Sequence, residues 1–228
     1  MRAYVRRVKS SSPETILSCP ICEKRKAKRF CPARAESICS QCCGTEREVT
    51  IDCPSDCPHL VASRQYDLER KDIDWSKAPF AQTKFRRSVV AELGGLIDAL
   101  ARSICQCANE HRPLTDLDAQ AAIESLAETY RTLSSGLYYE RPPDYAYQRE
   151  LYLKLKEGIE EYKKAVSQRL GVANVRPSDI RDALIFLAQL CFARSNGRPK
   201  GRAFLDLLRS NFKSEELASR ASNLVVLA

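Results

Sequence analysis

The chain has 228 residues, 44% hydrophobic and 29% charged, which suits a globular protein with one good core plus a small accessory module, or two modest domains. No apolar run approaches the roughly 18 residues needed to cross a bilayer. The basic start MRAYVRRVKSSSPE lacks the apolar stretch of a secretory signal, so no membrane role and a cytoplasmic location are expected. The net charge of +8 is concentrated: residues 1–34 carry ten Lys/Arg against Glu14 and Glu23, while the other 194 residues carry 27 of each sign. That asymmetry points to an anionic partner such as nucleic acid, with a solvated basic face as the alternative.

Taken in order, residues 1–18 read as a basic tail or a short strand broken by Ser10-Ser11-Ser12-Pro13. Residues 19–75 form a cysteine-rich module: eight of the eleven cysteines and one of the two histidines lie between Cys19 and His59. In a reducing compartment such thiols stay free, and C-x-x-C pairs are preferred zinc ligands. Cys19-Pro20-Ile21-Cys22 is a knuckle that aims two sulfurs at one point, and Cys39-Ser40-Gln41-Cys42 is a second. With sixteen residues between them they form a C-x2-C-x16-C-x2-C pattern, the spacing of a four-thiolate zinc site. Cys31, Cys43, Cys53 and Cys57 remain for a second zinc, with His59 as a substitute for one of them, most readily Cys43. The division between Cys42 and Cys43 stays open. Two zinc ions are therefore expected, with an iron–sulfur cluster as the rival.

Between the knuckles, Lys24, Arg25, Lys26, Lys28 and Arg29 crowd a loop or hairpin that must face water or a polyanion. Glu46 to Ile51 is β-branched at its end and predicts a strand. Pro58 predicts a helix start, with the helix running through Leu60 to Arg70 and Cys57 at its N-terminus. A knuckle, a hairpin and a helix that donates the last ligands together describe a treble clef.

The order C-x2-C, lone Cys31, C-x2-C and a final Cys/His pair resembles the cross-brace fingers of the HIT and MYND type. That resemblance covers about 40 of the 228 residues. It implies two zincs held in alternating order and a role in binding protein partners. Cys43 and the C-x3-C-x-H ending depart from the pattern. The chain is also similar to uncharacterised bacterial proteins that join such a finger to a helical domain.

Residues 76–228 read as an all-helical domain. Phe85, Val89, Leu93, Leu96, Ile97, Leu100 and Ile104 recur at helical spacing, with Gly94-Gly95 marking a weak point or a close crossing. Thr115 to Asp118 resembles a capping box ahead of a second stripe: Ala119, Ile123, Leu126, Tyr130, Leu133 and Leu137. Asp144 opens a third helix, with Leu151, Tyr152, Leu155, Ile159, Tyr162, Val166 and Leu170 on one face and Gly171 closing it. Pro177 starts a fourth helix, apolar almost all round between Ala183 and Ala193 and so expected at the buried centre. Two short helices near 201–211 and 214–223 finish the chain. The fold class expected is mainly α: a small two-zinc treble clef followed by a helical bundle.

Other clusters carry weaker readings. Cys105 and Cys107 point about 200° apart on a helix, so with His111 they make core packing and no metal site. Tyr130, Tyr138, Tyr139, Tyr145, Tyr147 and Tyr152 are read as a packed seam between helices, with base stacking beside Arg131, Arg141 and Arg149 as the alternative. Arg194 to Arg202 holds Arg194, Arg198, Lys200 and Arg202, either a phosphate grip or a solvated linker. No nucleophile–His–acid arrangement and no G-x-S-x-G or H-E-x-x-H motif is present. The expected protein is thus a zinc-stabilised binding protein and not an enzyme. Its basic loop would contact nucleic acid while the helical domain binds a protein partner; an adaptor that binds proteins alone is the alternative.

Overall fold

The computed structural model describes residues 18–83, 88–170 and 175–212. The possible strand at 3–8, Phe85, Gly171 and the helix near 214–223 lie outside those residues. Within them the chain is mainly helical, with a small two-stranded antiparallel sheet near its start.

The sheet pairs β1 (Arg29–Cys31) with β2 (Glu36–Ile38), and Arg29 opposes Ile38, Phe30 opposes Ser37 and Cys31 opposes Glu36. Strand alternation sends Cys31 and Ile38 inward, both buried, and turns Phe30 outward. Helix α1 (Ser40–Glu46) follows directly, and α2 (Pro58–Arg70) starts with Pro58 in its first turn, as the sequence predicts.

The expected strand over Glu46–Ile51 is not formed. Glu46 ends α1, and its carbonyl accepts the N–H groups of Val49, Thr50 and Ile51, winding the chain into a turn closed by an Arg47–Ile51 bridge. Glu48 sits in that turn at φ +52°, a left-handed backbone that interrupts an extended run. The β-branched residues favour a strand, but the carbonyl's capacity to cap α1 wins locally.

The bundle comprises α3 (Val89–Glu110), α4 (Asp116–Ser134), α5 (Ala146–Leu170), α6 (Pro177–Arg194) and α7 (Ala203–Ser210). Helix α6 is the centre: Ile180, Ala183, Leu184, Ile185, Leu187, Ala188 and Cys191 are buried, and it packs on α3, α4 and α7. Thr115 caps α4 through the box read from the sequence, accepting from Asp118 N–H while Asp118 accepts from Thr115 N–H at 3.1 Å. The Gly94-Gly95 pair adjoins a kink at Leu93, and a Cβ on Gly95 would lie 3.3 Å from Tyr162 Oη of α5, so the close-crossing reading holds there. A second close α3–α5 approach, at Gly158 against Ser103, has no local sequence signal.

Of the tyrosines, Tyr130 and Tyr152 are buried between helices, which fits the seam. Tyr138, Tyr139, Tyr145 and Tyr147 stand exposed around the α4–α5 loop, which does not. Leu137, placed on the α4 stripe, falls beyond the helix end and is exposed too. Cys105 and Cys107 are buried in the core, and burial pushes both thiols up to about 11, while His111 meets Glu150 at 2.8 Å. Among the described residues no helix is long and apolar enough to cross a membrane.

The Arg194–Arg202 segment is neither a solvated linker nor a phosphate loop along its length. It grips the cysteine-rich part. Arg198 Nη1 donates to Gly44 O at 2.9 Å and to Arg47 O, Lys200 Nζ donates to Thr50 O, and Arg202 pairs with Asp52. Lys200 N–H also donates to Glu48 O at 2.8 Å. Inside this clamp Glu48, 1% exposed, accepts from Arg64 Nη2 at 2.8 Å and from Asn196 Nδ2 at 2.7 Å. Arg64 Nη1 reaches Asp206 of α7 at 2.7 Å. The bonds from Asn196 and Arg198 span about 150 residues of sequence, which is why local pattern does not show them.

Candidate metal centre

Three local structures bring Cys19, Cys22, Cys39 and Cys42 together. The first knuckle is tied by Cys19 N–H to Arg25 O at 2.7 Å and Glu23 N–H to Cys19 O at 2.7 Å, with Glu23 at φ +55° turning the chain. The β-hairpin then returns the chain beside the knuckle. Cys39 caps α1, its sulfur accepting from Cys42 N–H at 3.3 Å, so the first turn of a helix sets the C-x-x-C spacing of the second pair.

All four thiols are free, and their sulfurs lie within 4.8 Å of one another. The Cys22–Cys39 sulfur separation is 3.9 Å, against about 3.8 Å for the edge of a tetrahedron with Zn–S bonds near 2.3 Å. The donor set and its spacing are consistent with a zinc site.

The electrostatics agree. Burial opposes ionisation of Cys19, but the backbone groups of Cys39, Cys22 and Ile21 outweigh it and bring that thiol down to about 6. Cys22 is lowered too, first by the backbone at Lys24. Cys42 goes the other way, to about 12, through burial and its neighbours' sulfurs. Four thiolates this close cannot all ionise without a counter-charge, and a divalent cation supplies it. Arg25 Nη1 stands 3.8 Å from Cys22 Sγ, a cation beside the sulfur cluster. All-thiolate zinc with four protein ligands leaves no open position for a substrate, so such a centre holds shape.

The second predicted set is placed less tightly. Cys31 and Cys57 are buried, Cys43 and Cys53 half-buried, and Cys43 takes a contact from Arg47 Nη2 at 3.7 Å. Cys31, Cys43 and Cys53 pack on the same small core as the first four, and Cys57 occupies the N-cap position of α2, two residues before His59. Burial raises the Cys53 thiol, and the charges of Cys57, Glu48 and Cys31 add to that, so these groups lie within electrostatic reach. Among the described residues they are not drawn together as the first four are.

Lys24, Arg25, Lys26 and Lys28 are exposed and Arg29 is half-buried. Among the described residues no carboxylate pairs with Lys24, Lys26, Lys28 or Arg29. Phe30, 61% exposed, sits beside them on the outer face of β1. Sequence reading passed over it, although an aromatic directly after a basic run is the available signal. Glu48, Arg64 and Asn196 were also missed, and only three-dimensional proximity reveals them.

Fold and site together define a mainly helical protein with an N-terminal four-cysteine cluster consistent with a zinc site. No protein-family model, curated protein or solved structure matches the chain.

Proposed function

We propose that the protein binds nucleic acid through the basic hairpin held by its zinc centre. The observation that carries this reading is the row of cations at Lys24, Lys26, Lys28 and Arg29, unpaired among the described residues, beside exposed Phe30. Cations without acidic partners release counter-ions when they meet phosphates, and a neighbouring aromatic gives a base a surface to stack on. Such contacts position a strand more than they read its sequence. Arg25, beside Cys22 Sγ, links the hairpin charge to the metal.

In this reading the cysteine-rich part is a treble clef of the cross-brace kind. A second zinc is held by Cys31, Cys53 and Cys57 with Cys43, or with His59 in its place. The support is the small core that Cys31, Cys43 and Cys53 share, and the raising of the Cys53 thiol by burial with the nearby charges of Cys57 and Cys31 adding to it. The protein works in the cytoplasm, as a binding protein and not an enzyme. A second reading, a protein-binding adaptor, is favoured by one observation: Leu137, Tyr138, Tyr139 and Tyr145 stand exposed together on the α4–α5 loop, where aromatic anchors suit a protein partner.

Affinity for generic RNA and DNA across salt concentrations separates the two. For the wild type, log affinity falls steeply with log salt. In a Lys24/Arg25/Lys26/Lys28/Arg29 charge-neutral variant that keeps its zinc, the slope flattens by several units. Absence of binding at low salt ends the nucleic-acid reading and leaves the adaptor.

A further inference from the structure

The clamp between α2, the end of α6 and α7 encloses a cleft of about 590 Å³, within the range of small-molecule sites. We infer that this cleft binds a nucleoside phosphate. The inference does not depend on nucleic-acid binding at the hairpin.

The charge of the lining is the first reason. Arg64 is matched by Glu48 and Asp206. Among the described residues Arg70, Lys71, Arg194 and Arg198 have no carboxylate partner, and Asp67 is the one acid in the lining. Lys71 donates to Ser195 O at 2.7 Å and so covers the negative end of α6, which would otherwise repel an anion. Arg198 is held by two backbone carbonyls, which orient its guanidinium without cancelling its charge. Arg70 lies 4.5 Å over the Tyr66 ring and donates to its hydroxyl at 2.9 Å. Arg194 is half-buried and has no hydrogen-bonding or ionic partner among the described residues. Arg64 Nε is buried without an acceptor, so donors are in surplus here. Guanidinium forks match phosphate oxygens in pairs, and a half-buried cation with no counter-ion gains most from one.

The apolar surface is the second reason. Leu68, Ile73, Ala193, Ala203 and Leu207 line the same cleft. A bare inorganic anion would leave that surface uncovered, while a planar base fills it. Asp67 and Asn196 offer polar partners to ring amino groups or sugar hydroxyls. Two sources carry this chemistry, a free nucleotide or the phosphorylated end of a strand.

Calorimetric titration of the zinc-loaded full chain at low salt tests the inference with AMP, ATP, adenosine and pyrophosphate. Short oligonucleotides with a 5′-phosphate or a 5′-hydroxyl complete the set. AMP or ATP is expected to bind, with adenosine and pyrophosphate each at least tenfold weaker. Arg194→Glu, which removes no bond of the fold, should weaken nucleotide binding at least tenfold. Arg70→Glu, on exposed α2 surface, should do the same from the opposite wall; zinc content and circular dichroism confirm that both variants fold. A tenfold preference for the 5′-phosphate oligonucleotide that Arg194→Glu abolishes identifies the strand end as the source, and no such preference identifies the free nucleotide. The inference is overturned if neither AMP nor ATP binds at millimolar concentration, or if adenosine binds as tightly as AMP. It is equally overturned if both charge reversals leave the affinity within twofold. The charge-neutral hairpin variant must keep its nucleotide affinity; loss there would assign the binding to the hairpin instead.

Discussion

Replacing Glu48 with alanine tests the join between the cysteine-rich part and the bundle. The carboxylate is 1% exposed and accepts from Arg64 at 2.8 Å and Asn196 at 2.7 Å. Truncation leaves Arg64 with Asp206 alone and Asn196 Nδ2 without its acceptor. Charge-assisted bonds are each worth about 1.5–3 kcal/mol, and breaking a buried pair by removing one partner costs about 3–5 kcal/mol. Glu48→Ala should therefore lower stability by about 3–5 kcal/mol in urea unfolding with zinc present. The backbone adds a second, independent reading. At φ +52° an L-residue carries roughly 1–2 kcal/mol of strain that glycine avoids. Glu48→Gly should then be at least as stable as Glu48→Ala, the reverse of the order at an ordinary surface position. A loss below about 1 kcal/mol for Glu48→Ala would show that the buried network contributes little, and a markedly worse glycine variant would refute the strain argument.

Two further predictions concern the bundle. A Cβ on Gly158 would lie 2.2 Å from Ser103 Oγ, so Gly158→Ala should destabilise by about 1–3 kcal/mol instead of giving the usual helix gain; Ser103→Ala should recover most of that loss, as thermal unfolding of the double variant would show. Asp116, buried at the N-terminus of α7 and accepting from Phe204 and Leu205 N–H, is pushed up to about 6 by burial despite those two bonds. Its folded carboxyl therefore holds a proton that the unfolded one loses near 3.8, so its contribution is fully present below that pH and falls as pH rises to about 6. Over that window the wild type should lose up to about 3 kcal/mol relative to Asp116→Asn, and a flat or rising difference would count against it.

What the sequence made legible follows from what is local. Pro58 and Pro177 mark helix starts, Thr115 with Asp118 marks a capping box, and the C-x-x-C pairs mark a cluster consistent with a zinc site, because each acts over three or four residues. The apolar stripes of α3 to α5 report their buried faces because helical period and burial coincide, and the all-round apolar α6 is buried at the centre. Local pattern failed where a distant partner decides the outcome. The β-branched stretch ending at Ile51 favours a strand, yet the Glu46 carbonyl and the clamp from Asn196 to Arg202 shape it into a turn. The cations of that clamp suggest phosphate, while Arg198 and Lys200 spend their donors on carbonyls about 150 residues away and Arg202 pairs with Asp52. The exposed tyrosines carry the same lesson in reverse, since a run rich in aromatics does not say which rings turn inward.

The hairpin that displays the basic residues is built on Cys19, Cys22, Cys39 and Cys42, a cluster consistent with a zinc site, and the role proposed for those residues depends on it. Native mass spectrometry of the full chain beside Cys22→Ser, with limited proteolysis of both, is the direct measurement. The wild type should be colourless and carry two zinc ions. Cys22→Ser should lose the ion of the first site, and with it the protease resistance of the N-terminal part, since about 10–16 kcal/mol of zinc affinity is folding energy. A variant that keeps its full zinc and its resistance, or a brown wild type containing iron, would contradict the account.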